Sequence, residues 1–299
     1  LTLLVGTGVW LTFALRFPQV RYFGMMFKEV LGHIKGKTAE AGSISAFAAM
    51  ATALAATVGT GNIAGVATAM HVGGPGALVW MLISAIFGMA TKFSEVALAV
   101  RYRELGRDGN YRGGTMYILE KALRMKWLAL LFAVLTILAS FGIGNMVQSN
   151  STAEGIAMGF GVPEVVTGIV VAILIGFVIS GSIKRIAVVT VYLVPFMAIL
   201  YIFGAIAVII VYIDAVPQAI YSAFYGAFCD PMALPGALAG WSVKVAITRG
   251  ISRGVFSNEA GLGSAPMAHC TARTDHPVRQ GLYGLFEVFA DTIIICNLT

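Results

Sequence analysis

Residues 41–91 contain no Lys, Arg, Asp or Glu. A membrane-spanning helix needs about 20 mostly apolar residues, so a run this long reads as buried in lipid. Its middle contradicts a plain anchor. The segment Ala56-Thr57-Val58-Gly59-Thr60-Gly61-Asn62 is polar and broken by glycines. Helix interruption at bilayer depth is tolerated only where the freed backbone groups face protein or a watery cavity. In carriers such broken helices form substrate and ion sites near the midplane. The stretch therefore predicts a polytopic, all-α membrane protein with a polar break in an early helix.

The rest of the 299-residue chain agrees. It is 58% apolar and 11% charged, with a mean hydropathy of +0.86, whereas soluble domains carry about 25% charged residues. The net charge of +6 is not a nucleic-acid footprint, because the cations sit in particular connections between spans. Cys229, Cys270 and Cys296 show no C-x-x-C spacing and read as small buried fillers. His33, His71, His269 and His276 are scattered without metal-ligand spacing. Both chain ends fall inside apolar runs and read as cut. No linker divides the chain, which reads as one domain.

Eight spans are predicted: residues 1–15, 44–70, 77–100, 127–147, 165–181, 187–213, an interrupted one within 219–256, and 282–299. Connections 16–37, 101–126 and 182–186 carry the cations, and so does the segment after the interrupted span, with Arg253, Arg273 and Arg279. The alternate connections 71–76, 148–164 and 214–236 hold no Lys or Arg. By the positive-inside rule the basic side is cytoplasmic. Residues 44–70 then enter from the cytoplasm, and 219–256 cross once. Apolar residues in 17–37 recur at three- and four-residue spacing. That predicts an amphipathic helix on the inner membrane face or packed on the bundle.

Several polar residues need a reading. Gly59-x-Gly61-x-x-Ala64 formally matches a dinucleotide fingerprint, but the strand and βαβ context it requires is missing. Most of the 35 glycines read as devices for close helix packing. Around the break, however, Thr57, Thr60 and Asn62 add side-chain oxygens. An unwound turn would offer N–H groups to an anion and carbonyls to a hard cation. Lys92 and Glu95 read as an i,i+3 pair with a snorkelling lysine. Lys244 reads either as a functional intramembrane lysine or as one snorkelling inward. Asp291 is expected to pair with a cation or a further helix, with Glu287 one turn away on the same side. Residues 257–264 read as a gate or hinge loop on the inner side. Gln148-Ser149-Asn150-Ser151-Thr152 alone reads as a solvated helix cap. No nucleophile–base pair is visible, so an enzyme is not indicated. One asymmetric broken helix also argues against a channel with pore-lining rings.

Five stretches carry a family resemblance: residues 57–67 (TVGTGNIAGVA), 73–88 (GGPGALVWMLISAIFG), 89–102 (MATKFSEVALAVRY), 256–269 (FSNEAGLGSAPMAH) and 274–281 (TDHPVRQG). Through them the chain resembles the alanine or glycine:cation symporters over essentially its whole length. It departs from the family at Val79 and Leu82, where Phe and Trp are usual.

The resemblance implies an inverted-repeat symporter fold of five plus five helices with an extra N-terminal helix. Residues 1–16 would be that helix, 17–40 the surface helix, 44–213 the first repeat, and 219–299 the start of an incomplete second repeat. Three further helices would be absent, and the chain alone would not transport. Thr60 and Gly61 match the family's substrate-carboxylate contacts, and Asn62 closes that motif. Ala55, Ala56, Thr57, Val58 and Asn62 match positions facing the coupling cation. Gln148 matches a substrate-contacting Gln, with Asn145, Ser149 and Asn150 around it. The implied activity is Na⁺-coupled symport of alanine or glycine by alternating access, with proton coupling as the alternative. Na⁺ would be the coupling ion, with no other cofactor. The implied protein is a multi-pass monomer in the inner membrane of a prokaryote.

Overall fold

The computed structural model describes residues 1–35, 44–107 and 109–299. Residues 36–40 of the expected surface helix and 41–43 of the neutral stretch lie outside them. Among the described residues the chain is an assembly of α-helices with one short hairpin, β1 (Glu104–Leu105) against β2 (Tyr111–Arg112).

Helix α1 (Thr2–Ala14) leads into the expected surface helix, which forms as two pieces, α2 (Pro18–Arg21) and α3 (Phe23–Lys35). Met26 and Val30 on its apolar face are buried. Phe23 and Phe27 make edge contacts with Phe289 and Phe286. Of the two readings of this helix, packing on the bundle is the one observed.

The neutral stretch forms α4 (Ala46–Thr57), a break, a π-helical turn (Gly61–Gly65) and α5 (Val66–Gly73), and the two halves are bent by 52°. Gly74, with φ of +76°, then turns the chain into α6 (Gly76–Arg101). This helix and α11 (Ser182–Val211) are long and apolar enough to cross a membrane, and the bent pair is a third such element. Between α6 and α11 lie α7 (Thr115–Lys121), α8 (Lys126–Ser140), a π-helical turn (Gly142–Met146), α9 (Val147–Phe160) and α10 (Glu164–Ile179). After α11 come α12 (Val216–Phe228), α13 (Val243–Asn258), α14 (Ala265–His269), α15 (Pro277–Val288) and a π-helical segment (Phe289–Cys296).

Helix α6 is the central post, with α1, α12, α13, α14 and α15 all packed on it. Small residues make that possible, since membrane helices gain by letting backbones approach. Gly250 lies against the Ala77 carbonyl and Trp80, and Gly254 against Met81 and Ser84. A methyl group at either would collide with those neighbours. Helix α13 thus runs beside α6 from its Gly76 end towards its Arg101 end. Helix α12 packs only on the Gly76 end, where Trp80 Nε1 donates to Ala227 O at 3.0 Å. Within 219–256, where one crossing was expected, α13 is the helix that packs along α6, and it is not one of the helices long and apolar enough to cross a membrane.

The Ser242 hydroxyl caps α13 by accepting from Val245 N–H, so Lys244 falls in the first turn, exposed, at the Gly76 end. Of residues 257–264, expected as a gate or hinge loop, the first two are helical. Ser257 and Asn258 close α13, and Glu259 and Ala260 are buried with them.

Lys92 also departs from its i,i+3 pairing. It is fully buried, its ammonium lies 3.0 Å from Glu287 Oε1, and it donates to Asn258 O at 2.8 Å. Glu287 Oε2 lies 3.0 Å from His269 Nε2, and His269 Nδ1 meets Gln280 Nε2 at 2.8 Å. Gln280 reaches Ala46 O. One buried polar chain therefore ties α6, α13, α15, α14 and α4 together. Nearer the Arg101 end, Arg279 bridges Glu29 at 3.1 Å and Asp275 at 2.7 Å.

Candidate binding site at the helix break

Helix α4 stops at Thr57 because the next residues suit a helix badly. Val58 is extended, and its N–H returns to Leu54 O at 2.8 Å. The following donor, Gly59 N–H, goes instead to Asn62 Oδ1 at 2.8 Å. Ala55 O thereby loses its usual i+4 donor. The last carbonyls of any helix lack intrahelical partners, and here they belong to Ala55, Ala56 and Thr57, followed by Val58. Thr57 and Val58 are buried, whereas Ala55 and Ala56 are exposed. The second half begins at Thr60 and Gly61, so its positive dipole end points at the break.

Asn62 fastens the break to the last helix. It is buried, and its Nδ2 donates to Asp291 Oδ1 at 2.7 Å and to Ser257 Oγ at 3.2 Å. Thr299 Oγ1 donates to Asn62 O at 2.8 Å. Asp291, also fully buried, takes a second bond from Thr292 Oγ1 at 2.7 Å. Among the described residues no cation forms a salt bridge with Asp291, whose oxygens take amide and hydroxyl donors; the other expected partner, a further helix, is untested. Glu287 and Asp291 take separate partners despite their i,i+4 spacing.

Gln148 was expected at the outer end of a helix. The structure instead carries the helix through the π-helical turn to Phe160, where Gly161 in the left-handed region and Pro163 stop it. Gln148 therefore sits mid-helix and beside the break: a methyl group on Gly59 would lie 3.9 Å from its Cγ. Asn145, one turn earlier, is exposed and bonds back to Ser140 O. Asn145, Gln148, Ser149 and Asn150 border an open cleft of about 800 Å³ between α9 and α10. The break itself reaches Gln148 alone of these four.

Arg253 is a member of the site that the sequence reading placed elsewhere, in an inner connection. It lies within α13, and its guanidinium rests on the face left bare by Gly61 and Gly65, where any Cβ would collide with it. The group sits 4.9 Å from the centre of the Phe256 ring. Its Nε and Nη2 atoms are buried and have no hydrogen-bond partner. The same holds for Thr60 Oγ1 and Gln148 Oε1. A second cleft, of about 420 Å³, opens beside Arg253 between α5, α9 and α13. The readable signal was spacing: Gly61 and Gly65 recur at i,i+4, as do Arg249 and Arg253.

Buried polar groups are ordinarily hydrogen-bonded. Unpartnered donors and acceptors both lie at or beside this helix break; others, such as Glu95 Oε2 and Gln280 Oε1, lie elsewhere. Comparison with known proteins agrees with a carrier. The family description "Sodium:alanine symporter family" matches residues 1–299. The chain is 48% identical to a sodium/alanine symporter, AgcS, of Methanococcus maripaludis, over 100% of its own length and 66% of that protein's. It is 43% identical to a putative sodium/proton-dependent alanine carrier of Bacillus subtilis (99% of this chain, 59% of that one). It is 42% identical to a probable sodium/glutamine symporter of the same organism (100% and 61%). The chain thus spans roughly two thirds or less of the length of these relatives. With a family match over every residue and near-half identity to a symporter, this chain belongs to the sodium:alanine symporter family.

Proposed function

We propose that this chain carries part of the substrate site of a membrane carrier that moves small neutral amino acids together with Na⁺. The observation that carries the reading is the set of unpartnered polar atoms at the break: Thr60 Oγ1, Gln148 Oε1, and Nε and Nη2 of Arg253. A zwitterionic amino acid has the matching chemistry. Its carboxylate suits N–H donors at Thr60 and Gly61, and its ammonium suits the Gln148 and Thr60 oxygens. The glycines and alanines around the break favour a small side chain. The cation would lie at the carbonyl end of α4, among Ala55, Ala56, Thr57 and Val58, with Asn62 holding the turn closed. Binding of Na⁺ there would order the unwound turn and so favour docking of the carboxylate.

The cation distribution favours a cytoplasmic Arg101 end of α6, in the inner membrane of a prokaryote. Transport would proceed by alternating access, the general scheme for carriers built on broken helices. The relatives' names keep the finer choices in play: one names alanine with sodium, one sodium or proton, one glutamine.

The test is radiolabelled alanine uptake by the native full-length protein in liposomes, with and without an inward Na⁺ gradient. Uptake driven by Na⁺ and competed by glycine is expected. Uptake indifferent to Na⁺ but driven by a proton gradient would move the assignment to proton coupling. Non-saturable flux would sink the carrier reading in favour of a channel.

A further inference from the structure

We infer that Arg253 reads the carboxylate of the transported amino acid, making this helix-13 guanidinium a specificity-determining residue. The inference rests on the amino-acid reading above and adds a charged contact to it. Three observations carry it. First, Nε and Nη2 are buried without a hydrogen-bond acceptor, whereas buried polar groups are ordinarily hydrogen-bonded. Second, the seat is shaped for the group. Gly61 and Gly65 present bare backbone to it, and Phe256 covers it at 4.9 Å, a distance at which the ring face attracts the cation. Third, the seat adjoins the start of the second half-helix at Thr60 and Gly61 and opens on the cleft bordered by Thr68, Ser151 and Ser252.

Asp291 acts on Arg253 by charge but offers it no hydrogen bond. Its oxygens are occupied by Asn62 and Thr292. A guanidinium offers parallel donors that fit a carboxylate fork, which a lysine cannot reproduce. It would also repel ligands that carry an ammonium without a carboxylate. The broken helix alone offers N–H groups and a partial dipole. The guanidinium adds a full charge, and so makes the site choose amino acids over amines and amides.

The experiment compares L-alanine with L-alaninamide as ligands of the full-length protein at pH 7, by ligand-dependent thermal stabilisation and by competition against labelled alanine. In the wild type alanine should bind far more tightly than its amide. Arg253→Gln should weaken alanine by about 10- to 100-fold, the worth of one charge-assisted contact, and leave the amide unchanged or tighter. Arg253→Lys should fall between, since the charge stays and the fork is lost. Gly65→Ala tests the same point with the arginine retained, because its methyl group displaces the guanidinium from its seat. It too should collapse the alanine-to-amide ratio, and it decides the matter should Arg253→Gln not fold. Equal loss of both ligands would assign Arg253 to a contact within the carrier and overturn the inference. An unchanged ratio would overturn it as well. A wild type that binds no alanine would overturn the amino-acid reading itself, and this inference with it.

Discussion

Lys92 and Arg253 are both cations set into the same helix bundle, on α6 and α13, and their surroundings differ in one respect. The Lys92 ammonium has Glu287 at 3.0 Å and the Asn258 carbonyl at 2.8 Å. The Arg253 guanidinium has two buried nitrogens with no acceptor, a ring face and a cleft. The first cation has its counter-charge built into the chain. It joins five helices and is a structural clamp. The second has its seat built into the chain but no hydrogen bond to a carboxylate there. The two burials thus differ in whether a hydrogen-bonding partner stands beside the charge.

The comparison breaks if Lys92 is dispensable. Glu287→Gln or Lys92→Met leaves the other charge buried and unpaired, which costs about 3–5 kcal/mol. Replacing both, as Lys92→Met with Glu287→Leu, should recover most of that loss, because a buried pair is often matched by apolar residues of similar volume. Unfolding of the detergent-solubilised protein by denaturant measures all three variants. Single and double variants of equal stability would show that the clamp is not coupled. Asn62→Ala comes next in size. It removes the acceptor of Gly59 N–H and the donor to Asp291, leaving buried groups unsatisfied at about 1–3 kcal/mol. Arg253→Met should be nearly neutral, within about 1 kcal/mol without ligand, since it removes no hydrogen bond of Nε or Nη2. A loss as large as that of Lys92→Met would make Arg253 a second clamp and erase the distinction.

The break itself was legible in the sequence. Gly59, Thr60, Gly61 and Asn62 are poor helix-interior residues inside an otherwise uniform apolar run, and the chain breaks between Thr57 and Gly61. The surface helix and the long spans were legible for the same reason, since local periodicity decides them. What escaped was pairing across the chain. Glu95 is the carboxylate nearest Lys92 in sequence, yet the partner is Glu287, on a helix that only tertiary packing brings alongside. The polar run 148–152 imitates a cap, although Gly161 and Pro163, the true stop, stand beyond it. Arg253 looked like one more cation on the basic side because charge counting ignores which residue of a helix faces a glycine. The expected five-plus-five repeat and the expected roles of Thr60, Gly61 and Gln148 rest on resemblance alone, since no spacing rule specifies them.

A third cation sharpens the comparison with the smallest effect. Arg103 lies beyond the Arg101 end of α6, half-buried and 3.6 Å from the centre of the Tyr111 ring. It donates to the carbonyls of Cys270 and Ala272, so its acceptors are backbone rather than carboxylate. Burial lowers its own proton affinity and pushes the neighbouring Cys270 thiol up to about 11. Cys270 is therefore a protonated, inaccessible thiol at pH 8, whereas Cys229 is exposed. Maleimide at pH 8 should label Cys229 and spare Cys270. Arg103→Ala releases the 270–272 segment, which Arg273 N–H still ties to Ile44 O at 2.8 Å. Two effects then oppose each other at the thiol. Loss of the guanidinium raises its proton affinity, and entry of water lowers it. Burial is the larger of the two influences on Cys270, so water entry should win and Cys270 should become reactive, increasingly so as the pH rises towards 9. Global stability should fall by only about 1 kcal/mol, the ordinary worth of a hydrogen bond. If Cys270 stays unlabelled in Arg103→Ala, the segment is held without the arginine, and backbone acceptors do not make Arg103 a clamp.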